Sequence, residues 1–179
     1  MSDLLLDVSQ MREAQDRVDR IFSVDALASD ADVFGVSGPV RLGLTIQKDR
    51  QQFRLIGKVQ ATLELECSRC LAAFELPVDE AFDVLYLPHS DAKPDGEVEI
   101  EDDDLSTAYY RDQVIDLGQL AMEQFFMVVP MKPLCSEACR GLCALCGTNL
   151  NAGTCSCTVE WVDPRLAVLR ELKKDTKDT

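Results

Sequence analysis

The stretch from Pro133 to Cys157 constrains this chain most strongly, because it contains six of the eight cysteines in the sequence. Cys143 and Cys146 form a CxxC motif, and the glycine that follows permits the tight turn needed around a metal ion. A polar loop then leads to Cys155 and Cys157, two further thiols that can complete a tetrahedron. The spacing predicts a structural metal site made of these four cysteines, with zinc as the expected ion.

The other four cysteines are enough for a second site. Cys67 and Cys70 form a CxxC motif upstream, and Cys135 and Cys139 begin the cysteine-rich stretch. By counting alone, we expect these four to share a second ion and to clamp the tail to the preceding hairpin. The chain is therefore expected to bind one or two zinc ions.

Three other uses of these thiols compete with zinc. Disulfides need an oxidising compartment, and the sequence gives no sign of export to one. An iron–sulfur cluster also takes four cysteines, and the spacing leaves it open. A redox enzyme or sensor could use Cys67 and Cys70, since Arg69 between them favours thiolate. A thioredoxin-like motif lies in a βαβ context, however, and the flanks here have the pattern of antiparallel strands.

Composition limits the class of partner. The chain has 179 residues, 32 acidic and 18 basic side chains, and a formal net charge of −14. Affinity for nucleic acid depends largely on lysine and arginine that neutralise phosphates, so this balance disfavours a broad phosphate-binding surface, and we expect no binding to DNA. The N-terminus resembles neither a secretory signal nor a transit peptide, and no apolar run approaches the ~20 residues of a membrane span. We expect a cytoplasmic protein with no membrane contact.

Half of the excess negative charge is concentrated in residues 89–104, which hold eight acids against Lys93. We expect a mobile acidic loop here, because the segment has few apolar residues. Capture of a basic protein by this loop is one alternative function.

Strand periodicity is clear from Val40 onward. Apolar residues alternate with polar ones over 40–46 and again over 53–65, and a polar turn joins the two runs. A third run covers 74–86, where Pro77 indicates an edge or a bulge. These runs predict a twisted antiparallel sheet or a partial barrel.

Helical patterns flank the strands. Ser9 is a candidate N-cap for a helix through Met11 to about Asp19 or Ile21. Asp116 is a candidate N-cap for an apolar helix that ends before Pro130. A last helix is expected over 165–174. The predicted fold class is α+β, with one or two helices on the sheet and a C-terminal zinc-knuckle-like module. We expect a β-rich domain over 1–130 and a cysteine-rich module with its helix over 131–179.

The predicted hairpin also carries a third of the basic residues. Most such side chains form a solvated outer face. The functional alternative is a local patch for RNA or an acidic partner. The residues are Arg41, Lys48, Arg50, Arg54, Lys58 and Arg69.

Several motifs together resemble one family. They are Cys67-Ser68-Arg69-Cys70-Leu71, the run Val129–Cys135, the run Gly141–Cys143 through Asn149-Leu150-Asn151, and Asp163-Pro164-Arg165-Leu166. Over roughly residues 40–174 the chain resembles the YceD family, the large ribosomal RNA subunit accumulation proteins. The resemblance implies a role in accumulation of 23S ribosomal RNA and in large-subunit assembly. The implied partner is a large-subunit precursor, met through a ribosomal protein or through 23S ribosomal RNA.

The family brings no catalytic motif to this sequence. Some members lack the cysteine-rich tail, which implies that metal there supports structure. The residues agree, because a single histidine and the lack of a nucleotide-binding loop give no recognisable catalytic set. We therefore expect a non-enzymatic assembly factor.

Overall fold

The computed structural model describes residues 4–23, 27, 33–89 and 106–158. In chain order the elements are the strands β1 (Leu5–Asp7), β2 (Gln15–Phe22), β3 (Gly35–Asp49), β4 (Gln52–Glu66), β5 (Ala73–Pro88), β6 (Thr107–Tyr110) and β7 (Val114–Asp116), and the helix α1 (Leu117–Val128). A 3-10 turn, Val8–Gln10, follows β1. The fold is α+β, as predicted. The acidic segment from Ser90 onward, Trp161 and the predicted helix over 165–174 lie outside the described residues.

The main sheet has five strands in the order β2-β3-β4-β5-β6. The first four are antiparallel to their neighbours, and β6 pairs in parallel with the end of β5. β1 and β7 form a separate two-stranded sheet. The alternation over 40–46 and 53–65 therefore predicted β3 and β4 correctly, and the turn at Arg50 and Gln51 joins them.

One face of the main sheet forms the core. Side chains of β3, β4 and β5 alternate between buried and exposed positions, because successive residues of a strand point to opposite faces. The core is completed by the 3-10 turn, β7 and α1. Its largest fully buried side chains are Phe53, Phe125, Leu42, Ile46, Leu55, Leu63, Ile115, Leu117 and Leu120.

The prediction of a helix after Ser9 is wrong, since β2 occupies Gln15–Phe22. Its two buried residues, Val18 and Phe22, are four positions apart. That spacing fits one face of a helix and also one face of a strand. The segment forms a strand because its eight residues pair with eight residues of β3. Asp7, not Ser9, caps the short 3-10 turn, where its carboxylate accepts the Ser9 N–H at 2.9 Å.

The helix α1 begins where the sequence indicated. The Asp116 carboxylate accepts the N–H groups of Gly118 and Gln119 at 2.8 and 3.0 Å, which caps the first turn. Its buried face comprises Leu117, Gly118, Leu120, Ala121, Gln124 and Phe125. No helix of the described part of the chain is long and apolar enough to cross a membrane.

The chain divides into two compact units. The first comprises Met1–Ser68 and Ala72–Glu137, and contains the strands and α1. The second comprises Arg69–Leu71 and Ala138–Thr179. In its described residues the second unit consists of turns and loops with one isolated bridge between Leu142 and Asn149. The predicted division at residue 130 stays a prediction.

Candidate metal centres

None of the eight cysteines, all of which lie among the described residues, is in a disulfide, and they fall into two groups of four. Within each group all sulfur atoms lie within 4.8 Å of one another. A tetrahedral zinc ion with Zn–S bonds of about 2.3 Å places its sulfurs about 3.8 Å apart, so both donor sets fit such an ion. The groups are Cys67, Cys70, Cys135 and Cys139, and Cys143, Cys146, Cys155 and Cys157. This grouping coincides with the partition expected from counting, while metal binding and its identity stay predictions.

The upstream CxxC lies in the turn between β4 and β5. The Cys67 N–H donates to the Ala72 carbonyl at 3.0 Å, which closes the turn. Leu71 has a φ of 58°, in the left-handed region that lets the chain reverse within a few residues. The antiparallel strands on either side confirm the context inferred from the sequence.

Cys67 and Cys70 are more deeply buried than reactive thiols usually are. Cys67 is 0% exposed and Cys70 is 5% exposed. A redox thiol must reach its substrate, so reactive cysteines are partly exposed. The structure therefore favours ligand or core roles for this pair over the redox alternative.

Arg69, between the two thiols, is held through both its side chain and its backbone. Its Nη1 donates to the Cys139 carbonyl at 2.9 Å, and its own carbonyl accepts the Leu142 N–H at 3.1 Å. Gly141 makes this approach possible, because a Cβ there would lie 3.0 Å from the Arg69 carbonyl oxygen. Gly141 also has a φ of +72°, which strains any other residue. The local sequence thus fixes Arg69 beside the loop that follows Cys139.

The Cys143–Cys146 knuckle is closed by backbone hydrogen bonds. The Cys143 N–H donates to the Thr148 carbonyl, and the Gly147 N–H donates to the Cys143 carbonyl, both at 2.9 Å. Gly147 adopts a φ of +72°, as the CxxCG motif indicated. The Thr148 hydroxyl lies 3.1 Å from the Cys146 sulfur. This turn presents two thiols of the second group to one point.

Asn151 is a contributor that reasoning from the sequence missed. Its side-chain amide donates to the Cys139 sulfur at 3.2 Å, and its side-chain oxygen accepts the Arg140 N–H at 2.8 Å. Asn149 accepts the Asn151 N–H at 2.9 Å and so orients it. The turn between Asn149 and Asn151 could have been predicted from the sequence, since an asparagine side chain often accepts the N–H two residues further on. A hydrogen bond to a sulfur 12 residues away has no local signature.

The second group distributes its protons unevenly. Hydrogen bonds from Thr148 and from the Cys143 thiol lower the pKa of Cys146 to about 6. Backbone N–H groups of Cys146 and Leu145 lower the pKa of Cys143. The hydrogen bond to Cys146, followed by burial, raises the pKa of Cys157 to about 12. Crowded thiols of this kind suit a divalent cation, which binds the deprotonated thiolates and supplies two positive charges in place of the released protons.

The six basic residues proposed as a patch do not act as one set. Arg54 forms a bidentate pair with Asp83 at 2.8 and 2.7 Å, and Lys58 pairs with Asp79 at 3.3 Å. Lys48 donates to the Met11 carbonyl at 2.8 Å. The Arg69 side chain donates to the Cys139 carbonyl. These contacts reduce the charge that is free for a ligand. A role of Arg41, Lys48, Arg50, Arg54, Lys58 and Arg69 in binding RNA or a partner stays a prediction.

Fold and cysteines together define a β-sheet protein with two four-thiol groups. The model of the family "Large ribosomal RNA subunit accumulation protein YceD" matches residues 55–173, a range that includes all eight cysteines. The chain belongs to the YceD family.

A relative that carries the family name supports this assignment, and the chain is also similar to uncharacterized proteins. A maize protein, "Large ribosomal RNA subunit accumulation protein YCED homolog 1, chloroplastic", is 29% identical over 67% of this chain and 48% of its own length. An uncharacterized protein of Mycobacterium leprae is 33% identical over 63% of this chain and 49% of its own length. An uncharacterized protein of Mycobacterium bovis is 30% identical over 77% of this chain and 64% of its own length. The chain thus spans about half the length of the first two. No solved structure matches it.

Proposed function

We propose that this chain is a zinc-stabilised, non-enzymatic factor that supports the accumulation of 23S ribosomal RNA during assembly of the large ribosomal subunit. The observation that carries the proposal is the family match over 55–173, which includes β5, α1 and both cysteine groups. The name of the maize relative, which a relative from Arabidopsis thaliana shares, supports the same role. The partner would be a precursor of the large subunit, contacted through a ribosomal protein or through 23S ribosomal RNA.

The zinc part of the proposal is supported by the donor sets. Four thiolates around one ion form a closed structural site that leaves no position open for a substrate. Zinc, when bound, would supply cross-links between loops that have little regular secondary structure. The residues of the chain contribute the turns that aim the thiols, through Gly141, Gly147 and the hydrogen bonds of Asn151.

A genetic test addresses the proposed role. The gene is depleted in its host, and the ratio of 23S to 16S ribosomal RNA is measured with and without a plasmid copy. Depletion should lower the ratio, and the wild-type copy should restore it. An unchanged ratio after depletion would contradict the role in ribosomal RNA accumulation.

Metal content tests the zinc part separately. Native mass spectrometry of the purified chain should find two zinc ions, and one ion in the double variant Cys143→Ser/Cys146→Ser. The variant Cys67→Ser/Cys70→Ser should also retain one. The matched control is Ser136→Ala/Ser156→Ala, which leaves every thiol in place and should keep two ions. Two ions in either cysteine variant would refute the partition.

A further inference from the structure

One long edge of the main sheet lacks a strand partner among the described residues. β5 has 16 residues, but β6 pairs only with its last four, Leu85 to Pro88. Within the part of the chain that the structure describes, the preceding twelve residues, Ala73 to Val84, pair only with β4. An unpaired edge offers backbone N–H and C=O groups to any extended chain that can lie beside it.

The register shows which peptide groups face outward. Cys67 and Ala72 form a hydrogen-bonded pair at the turn between β4 and β5, because the Cys67 N–H donates to the Ala72 carbonyl. From there the two strands pair without a change of register as far as Phe53 and Tyr86. Hydrogen-bonded and non-bonded pairs alternate along an antiparallel ladder. The even-numbered residues of β5 therefore bond to β4. The peptide groups of Asp79, Ala81 and Asp83 face the free edge.

Pro77 and β6 set the limits of this edge. Pro77 also belongs to the outward-facing series, and it has no N–H to offer. Leu85 and the residues after it are already paired with β6. The usable edge is Val78–Val84, which is slightly longer than an average strand of about five to six residues.

The side chains of this edge are acidic. Residues 73–84 contain Glu75, Asp79, Glu80 and Asp83 and no lysine or arginine. Asp79 and Asp83 each pair with one cation of β4, and all four carboxylates lie on exposed residues. Glu75 stands directly opposite Glu64, in a pair that is not hydrogen-bonded. Side chains approach most closely in such pairs, so two like charges oppose each other, and neither carboxylate has an ion pair among the described residues.

These charges discriminate between possible occupants. Within Val78–Val84, Asp79 and Asp83 are paired with Lys58 and Arg54, whereas Glu80 forms no ion pair among the described residues, so one negative charge is in excess. A second copy of the chain, edge to edge, would set three acids against three acids, and charged edges are a known means of blocking self-association. The same acids repel phosphates and so disfavour RNA. A strand rich in lysine and arginine gains from both the ladder and the charges. The opposite edge of the sheet differs, because β2 carries Arg17 and Arg20 beside Asp16 and Asp19.

We propose that Val78–Val84 of β5 is a docking edge that takes a lysine- and arginine-rich extended segment of a partner protein as an added strand. The docked strand would hydrogen-bond to the peptide groups of Asp79, Ala81 and Asp83. Its basic side chains would lie near Glu80 and the neighbouring aspartates. The proposal rests on the sheet alone and does not depend on the role in ribosomal RNA accumulation.

The probe is a fluorescent peptide of about ten residues with alternating lysine and valine, a length that exceeds the free edge. Binding to the full zinc-loaded chain is followed by fluorescence anisotropy. Ala81→Pro removes one outward N–H without removing a bond to β4, and should weaken binding at least about tenfold. The matched control is Ile21→Pro, an outward-facing, exposed position on β2, which should leave binding unchanged. Glu80→Lys tests charge at a side chain that forms no ion pair among the described residues, and should also weaken binding.

Peptide controls separate added-strand pairing from simple charge attraction. A lysine–proline peptide of equal charge and a glutamate–valine peptide should both bind at least about tenfold more weakly. Hydrogen exchange should show the amides of residues 79, 81 and 83 becoming protected only with the lysine–valine peptide. Equal binding of the lysine–proline peptide, an equal loss in Ile21→Pro, or tighter binding of an oligouridylate to the same edge would each overturn the proposal.

Discussion

At Gly57 two strands of the main sheet approach so closely that only hydrogen fits. A Cβ on Gly57 would lie 2.6 Å from the Leu44 Cβ and still nearer to the Gly43 carbonyl. Gly57 belongs to the buried-face series of β4, where backbone and core cannot yield cheaply. We expect Gly57→Ala to destabilise the fold by about 1–3 kcal/mol, as overpacking substitutions do. The measurement is the midpoint of urea unfolding.

Gly153→Ala is the control for this prediction, because nothing lies within 4 Å of the Cβ that it would add. It should change the unfolding free energy by less than about 0.5 kcal/mol. A Gly57→Ala chain as stable as Gly153→Ala would mean that β3 and β4 can separate at this point at little cost.

Tyr86 gives the fold a dependence on alkaline pH. Burial, with the nearby carboxylates of Glu123 and Asp116, raises the pKa of Tyr86 above its ordinary value of 10.0. The neutral phenol is thus favoured in the folded chain, and its contribution is complete below pH 10 and lost as the pH rises further. Tyr86→Phe should therefore resist unfolding above about pH 10 better than the wild type. Thermal melts at pH 8 and pH 11 measure this difference, and Tyr109→Phe, at a 63% exposed ring, serves as the control.

At the scale of individual residues, the spacing of the cysteines was the most informative feature of the sequence. The CxxC motifs predicted the turns at Cys67–Cys70 and Cys143–Cys146, because two thiols and a reversing backbone are local properties. The roles of Arg69 and Asn151 depend on partners 70 and 12 residues away. No local pattern indicates contacts at such separations.

At the level of elements, α1 depends on a single cap. The Asp116 carboxylate accepts two N–H groups of the first turn. Asp116→Ala should cost about 1 kcal/mol of unfolding free energy, the usual loss for an N-cap. Asp116→Ser retains an oxygen at the cap and should recover most of that loss. Equal destabilisation by alanine and serine would show that Asp116 acts through something other than the cap.

The sequence predicted the long strands and missed the pairing of the short ones. Alternation over 40–46 and 53–65 identifies one buried face. Pro77, which indicated an edge or a bulge, lies where β5 has no second strand partner among the described residues. The pairing of β1 with β7 joins residues more than 100 positions apart. The short strands β6 and β7 are separated by a turn in which Asp112 and Gln113 adopt left-handed conformations. Asparagine and glycine usually mark such turns, and neither is present here.

For the whole chain, metal removal should affect the two compact units differently. The first has a core of strands and α1, whereas the described residues of the second are loops and turns. Excess chelator should therefore leave the far-ultraviolet signal of the sheet nearly intact. It should accelerate tryptic cleavage after Arg140 at least about tenfold, since metal-dependent loops open when the ion leaves.

The variant Cys143→Ser/Cys146→Ser provides the comparison for this experiment. Without chelator it should already be cleaved after Arg140 faster than the wild type, and chelator should add less to the rate. Identical cleavage of the wild type with and without chelator would show that the loops hold their structure without metal.

The opposition of Glu64 and Glu75 also predicts how the chain responds to ionic strength. Dissolved salt screens exposed charges over about 10 Å at 0.1 M. Because this pair is repulsive and the chain carries a net charge of −14, moderate sodium chloride should raise the melting temperature. The same screening weakens attraction between the acidic edge and a cationic strand. Salt therefore acts in opposite directions on folding and on association, so a buffer chosen for stability will conceal the weakest complexes.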